Sequence, residues 1–293
     1  GSDGSEVVMN SGNTYRIRLD GSRVEQHTFG QVNPFGMCLD PLGNFYTADR
    51  KARFIPVISK LNAVATVDLP FTLNTGRIRD HWHTMTRTAR TPRLSSHVAE
   101  PYCEINPKDA LTCDIRSADI LEVSNKHGKI LVRALVSDRV KQGEVFVPMH
   151  WTDQYASQAR VDSIIPAKVD PFSGQPASKN AAVSVSKASI STYAFVVMRE
   201  KPDLHKSGAD YWALAKCEHG WRAELGFVLE ASALSFAERF SLKAANVENL
   251  AYEDSCRSLK RYAAFKDNRL LSALYLADEP VGLSREWLVQ QLA

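Results

Sequence analysis

The residues with the clearest chemical potential lie in one stretch, LNTGRIRDHWHTMTRT at 73–88, which continues through Arg90 and Arg93. Arg77, Arg79, Arg87, Arg90 and Arg93 stand there against a single acid, Asp80. Thr84, Thr86 and Thr88 interleave with them, and Thr75-Gly76 directly follows an apolar run. Guanidinium forks, hydroxyls and backbone N–H groups after a glycine turn are the donors that grip phosphate oxygens. Gly76 lets a ligand approach the main chain closely. This combination points to a phosphorylated, nucleotide-bearing ligand.

Other chemistries fit less well. A solvated basic loop, or a surface that docks an acidic neighbour, would use the same charges. Yet Trp82 sits between His81 and His83, and the threonines recur at every second position. A loop that is merely wet needs neither feature. His81 and His83 supply two metal ligands and a bound metal needs at least a third, so no metal site is expected here. Nucleic acid is disfavoured because no aromatic stripe accompanies the arginines. No residue carries a signature of catalysis.

Positioning such a segment requires elements around it. A strand is expected at Pro70 to Leu73 and others at Phe54–Ile58, Ile115–Val123, Ile130–Val136, Val145–Pro148, Ala182–Val185 and Tyr193–Met198, with a turn at Lys126-His127-Gly128. Phe146, within an apolar VFVP context, is expected in the core. A closed barrel with short helices is the simplest arrangement of these strands. Beyond Asp203 helix formers dominate. Ala231–Ala245 reads as a helix with Leu234, Phe236, Phe240 and Leu242 on its apolar side, and a hairpin is expected at Asp267-Asn268. Ser284 should cap a final helix that docks through Leu283, Trp287, Leu288 and Leu292. At the N-terminus, Tyr15, Ile17 and Leu19 alternate with Arg16 and Arg18 before an Asp20-Gly21 turn, which reads as a β-meander.

Whole-chain composition sets the limits. The 293 residues suggest more than one compact unit. Lys plus Arg number 36 and Asp plus Glu 33, too small an excess for a surface that grips nucleic acid throughout. The longest apolar run, Tyr193–Met198, is far short of the roughly 20 residues that span a bilayer, and no secretory leader pattern opens the chain. Five widely separated cysteines with no C-x-x-C pair exclude a self-contained zinc or iron-sulfur motif and suit a reducing compartment.

Four motifs carry a resemblance: the 73–88 stretch, EPYCEINPKDA at 100–110, GEVFVPMHW at 143–151 and VDPFSGQPASKNAAVSV at 169–185. In this order they resemble the C-terminal part of assimilatory nitrate reductase catalytic subunits. EHGWRAELG at 218–226 and RYAAFKDNRLLSALYLADEP at 261–280 resemble the extension that follows that region. The likeness runs from about residue 50 to 293. It implies a mixed α/β, mainly β chain: a molybdopterin dinucleotide-binding double-psi β-barrel at 50–187, a small α+β extension at 188–293, and a short β-meander at 1–49. The last segment itself resembles one blade of an NHL or sugar-dehydrogenase type propeller, with FYTADRKARFIPV at 45–57 shared at the junction, as in a fusion.

The resemblance further implies a bis-molybdopterin guanine dinucleotide cofactor carrying molybdenum, held by Thr75, Gly76, Arg77, His83, Thr84, Thr86 and Arg87, with Lys179 reaching it from a second loop. Two residues depart from the family pattern. Asp162 and Ile165 stand where an asparagine and a threonine are usual, so a carboxylate replaces an amide donor. The implied chemistry is nitrate reduction to nitrite. The family's iron-sulfur cysteines and molybdenum ligand have no match here, so this chain alone is not expected to reduce nitrate. Its implied partners are the missing catalytic domains of a reductase and an electron-donor protein, its setting cytoplasmic. The same barrel would serve a formate dehydrogenase or another molybdenum oxidoreductase. A non-enzymatic module whose basic loop docks an acidic partner is the alternative from another class.

Overall fold

The computed structural model describes residues 64–169, 175–240 and 247–293, together with the backbone of two N-terminal strands. Those strands, β1 (Thr14–Ile17) and β2 (Val24–Thr28), pair antiparallel, and the expected Asp20-Gly21 turn lies outside the described residues. The rest of the proposed propeller blade, the 45–57 junction and the Phe54–Ile58 strand lie outside the described residues.

Residues 71–187 form a closed six-stranded barrel: β3 (Phe71–Gly76), β4 (Tyr102–Ile105), β5 (Ile120–Asn125), β6 (Gly128–Val136), β7 (Glu144–Pro148) and β8 (Ala181–Lys187), in the order β3-β7-β4-β6-β5-β8. β3 runs parallel to β7, and β4 runs parallel to β6. The remaining pairings are antiparallel, including β8 to β3, which closes the ring. Closure leaves no edge, and every second side chain fills the interior. Leu73, Ile105, Val123, Ile130, Val132, Val147 and Val183 are fully buried there. Two short helices, α1 (Pro92–His97) and α2 (Pro107–Thr112), lie in the connections. Asn106 starts α2 by accepting from Lys108 N–H at 3.0 Å, with Pro107 at the first helical position.

The expected strands that fall within the described residues are present with shifted ends. The one expected at Ile115–Val123 begins only at Ile120, because Asp119 turns back to accept from Arg116 N–H at 2.8 Å. Phe146 corrects the expected register. Val145 and Val147 point into the barrel, so Phe146 faces outward, half-buried, with its ring 6.3 Å from that of Tyr102.

A second sheet holds six antiparallel strands, β9 (Thr192–Met198), β10 (Tyr211–Cys217), β11 (Gly220–Phe227), β12 (Glu248–Asp254), β13 (Leu259–Lys266) and β14 (Arg269–Ala277), in the order β10-β11-β9-β14-β13-β12. β10 and β11 overturn the helical expectation after Asp203. YWALAKC and GWRAELGF are rich in helix formers, but both faces of β10 are covered, and burial against two packed layers outweighs a propensity difference of less than about 1 kcal/mol per residue. The helix expected next is α3 (Glu230–Phe240), whose buried stripe is Ala233, Ala237 and Phe240 while Leu234 and Phe236 are only half-buried. Asp267 and Asn268, both at positive φ, make the expected turn between β13 and β14. The final helix α4 (Arg285–Gln290) is capped by Ser284, which accepts from Trp287 N–H at 3.2 Å. Leu288 and Leu292 dock as expected, whereas Trp287 is half exposed.

Barrel and sheet share a buried seam of charge. Arg133 donates to Glu100 at 2.9 Å, to the Ala118 carbonyl at 2.8 Å and to Glu224 at 3.4 Å. Arg285 grips Glu224 with two bonds of 2.8 and 3.0 Å, and Tyr211 donates to Glu100 at 2.7 Å. With Arg133 only 8% exposed, each of these charges depends on its partners.

Candidate functional site at the end of the third strand

The barrel's register determines what leaves the end of β3. Thr75 alternates inward and is buried, its hydroxyl donating to the Val147 carbonyl at 2.7 Å. That hydroxyl is spent within the barrel wall. Gly76, next along, borders Lys179: a Cβ there would lie 3.4 Å from the Lys179 ammonium and 3.5 Å from the Phe146 ring. The ammonium donates to the Thr75 carbonyl. Lys179 precedes β8, and the β3–β8 pairing brings it to the end of β3. The structure therefore brings together Thr75, Gly76 and Lys179.

From Arg77 the chain leaves the barrel, turns, and is pinned again by Met85 and Ala89, whose side chains join the barrel core. Met85 adopts φ 56°, a left-handed conformation unusual for a long side chain, and its burial holds it there. The turn presents His83, Thr84, Thr86 and Arg87 to solvent, and Arg77 is exposed as well. Trp82 is 52% exposed, edge-on to the His83 ring at 4.8 Å.

The five arginines are not equivalent. Arg79 is bound to Asp80 through bonds of 2.9 and 3.1 Å, and His97 reaches the same carboxylate at 2.6 Å. The hydrogen bonds from Arg79 and then His97 hold the Asp80 carboxyl down at about 2, so it stays ionised and keeps its arginine. Among the described residues no carboxylate pairs with Arg77, Arg87, Arg90 or Arg93. The charge left for an anion belongs to those four.

Two residues whose roles were not foreseen shape this segment. His150, fully buried just after β7, accepts from Ile78 N–H at Nε2 (2.9 Å), while its Nδ1 faces the carbonyls of Trp82 (2.9 Å) and His83 (3.0 Å). Burial lowers its pKa below that of a free histidine. His81, also buried, donates from Nε2 to the Val98 carbonyl at 2.8 Å, and its Nδ1 lies 3.2 Å from the Thr88 hydroxyl. His81 and His83 thus have opposite fates, one inside and one exposed, and do not form a joint metal site. A histidine two residues after the mostly apolar strand β7 was the available signal for His150; nothing local identified its partners 67 to 72 residues away. Asp162 is exposed on a short 3-10 turn, and Ile165 packs against the barrel core.

An ammonium beside a glycine backbone, with exposed guanidinium groups and hydroxyls in the segment that follows, equips this site to hold oxyanions. The same residues lie in a stretch that matches a known family model. Residues 71–182 match the model described as Molydopterin dinucleotide binding domain, so the chain carries a molybdopterin dinucleotide-binding domain there. It is 41% identical over 139 residues to a nitrate reductase of Klebsiella oxytoca, covering 47% of this chain and 16% of that protein. The F420-dependent formate dehydrogenase subunit alpha of Methanocaldococcus jannaschii is 36% identical over 37% of this chain and 16% of its own. The assimilatory nitrate reductase catalytic subunit of Bacillus subtilis (strain 168) is 32% identical over 41% of this chain and 16% of its own. The chain thus spans about a sixth of the length of the relatives it matches. Among the described residues no helix is long and apolar enough to cross a membrane.

Proposed function

We propose that this chain is the cofactor-holding C-terminal region of a nitrate reductase, with a double-psi barrel that binds the guanosine diphosphate part of bis-molybdopterin guanine dinucleotide. The observation that carries the reading is the meeting of Lys179 with the backbone of Thr75 and Gly76 where the arginine and threonine segment leaves the barrel. Gly76 has no Cβ to fill the gap, and the charges of Arg77 and Arg87 have no protein anion among the described residues, so the donor set fits a diphosphate. Arg77, Arg87 and Lys179 would hold phosphate oxygens. Thr84, Thr86 and His83 would add neutral hydrogen bonds, and Thr75 and Gly76 would contribute backbone and position. The bound group supplies two-electron redox chemistry at molybdenum; the residues here bind and orient it.

Nitrate as substrate is favoured by the identity to two nitrate reductases. The 36% identity to a formate dehydrogenase subunit supports a second reading, in which the same barrel serves formate oxidation. Either way, the remaining catalytic domains and an electron-donor protein in the cytoplasm are the proposed partners. The test is a titration of guanosine diphosphate followed by melting. A ligand at about 100 times its Kd should stabilise the fold by about 2.7 kcal/mol. A surface that only docks an acidic protein would show no such specific shift.

A further inference from the structure

His150 joins both ends of the turn that the cofactor reading assigns to phosphate, and its ring can do so in only one protonation state. Ile78 N–H can only donate, so Nε2 must be an unprotonated acceptor. The Trp82 and His83 carbonyls can only accept, so the ring proton must sit on Nδ1. A second proton would set Nε2–H against Ile78 N–H inside a site closed to water, with the ring fully buried. The loss would be felt at Ile78, the residue after Arg77, and at the backbone of His83.

We infer that His150 is a positioning residue that sets the phosphate-holding geometry of the 77–88 segment in its neutral, Nδ1-protonated form alone, so that the segment's grip on a nucleotide diphosphate weakens on acidification. The ligand half of this statement rests on the cofactor reading; the latch itself does not.

The titratable groups facing the ring are His81, with its ring 5.8 Å away, and His83, whose carbonyl His150 binds. His81 is itself committed to Val98 and Thr88. His83 is exposed, and its protonation adds positive charge and favours an anion, so it acts against the predicted trend. A variant that keeps the bonds but cannot titrate separates the two effects. Glutamine offers one acceptor for Ile78 N–H and one donor for the carbonyls at every pH.

The experiment uses the full chain, wild type and His150→Gln, between about pH 5 and 8, where histidines titrate. Exchange of the Ile78 amide, corrected for its intrinsic rate, should lose protection in the wild type by roughly tenfold per pH unit below the His150 pKa and stay level in the variant. The imidazole nitrogen spectrum of the wild type at neutral pH should show the proton on Nδ1, a measurement that stands even if the variant fails to fold. The affinity for guanosine diphosphate should fall more steeply with acid in the wild type than in the variant. A proton on Nε2, or the same exchange profile in both proteins, overturns the latch. Parallel affinity profiles with a working latch overturn its coupling to the ligand. If guanosine diphosphate binds neither protein at any pH, the cofactor reading and the ligand half fall together, while the exchange profile still decides the latch.

Discussion

Lys179 and Thr75, 104 residues apart in sequence, meet where the Lys179 ammonium donates to the Thr75 carbonyl at the end of β3. The bond places a cation beside Gly76 at the point where the arginine segment begins. Removing Lys179 is therefore expected to disturb local order at Thr75 as well as to weaken the proposed ligand binding.

Arg77→Ala and Lys179→Ala should each reduce the stabilisation by guanosine diphosphate, since a hydrogen bond to a charged group contributes about 1.5–3 kcal/mol. Arg79→Ala should reduce it much less, because Asp80 and His97 already occupy that neighbourhood. Titration calorimetry of the three variants decides the matter. Equal losses in all three would show that the segment acts through its total charge alone.

Thr75→Val keeps the side chain's shape but removes the donor to the Val147 carbonyl inside the barrel wall. The expected loss is about 1–3 kcal/mol in urea unfolding. An unchanged midpoint would mean that water reaches this carbonyl.

Leu73→Ala, at a fully buried position, should cost about 2–5 kcal/mol. Phe146→Ala should cost less despite the larger deletion, because its ring is only half-buried on the outer face. Reversal of this order in denaturant melts would put the β7 register in error.

Arg133→Met should destabilise by about 3–5 kcal/mol, since it leaves Glu100 and Glu224 at the seam without their shared guanidinium. Calorimetric melting at neutral pH measures it. A loss under about 1 kcal/mol would show that water hydrates the seam in solution.

Acid should weaken the fold through His150. Burial lowers its folded pKa below the ordinary value of about 6.5, so in acid the unfolded chain binds more protons. This contribution is present above the unfolded pKa and declines as pH falls below it. Melting temperatures of wild type and His150→Gln should diverge on the acid side of about 6.5 and run parallel above it.

The cysteines divide by environment. Burial, with help from the neighbouring Glu104 charge, pushes the Cys103 thiol up to about 12, and burial raises Cys217 as well. Cys256 is exposed. A thiol reagent at neutral pH should label Cys256 rapidly and reach Cys103 and Cys217 only on unfolding, read out by mass spectrometry of the digested chain.

The amino-acid sequence determined those features whose rules are local. Alternating apolar residues announced most barrel strands, Asp267-Asn268 announced a turn that needs positive φ twice, and Ser284 announced a helix start, because each of these depends on residues within a few positions. The concentration of arginine and threonine after Gly76 was legible for the same reason. Tertiary structure decided the rest. The closed ring pointed Val147 inward and Phe146 outward, and packing on both faces made a strand of β10, with β11 paired beside it, despite their alanine and leucine. Barrel closure carried Lys179 to Thr75, and folding put His150 beneath the turn. Arg79 is committed to its immediate neighbour Asp80, but the His97 that completes this cluster arrives from 17 residues away. Such contacts arise when strands far apart in the chain become neighbours, and no local pattern of residue types encodes that pairing.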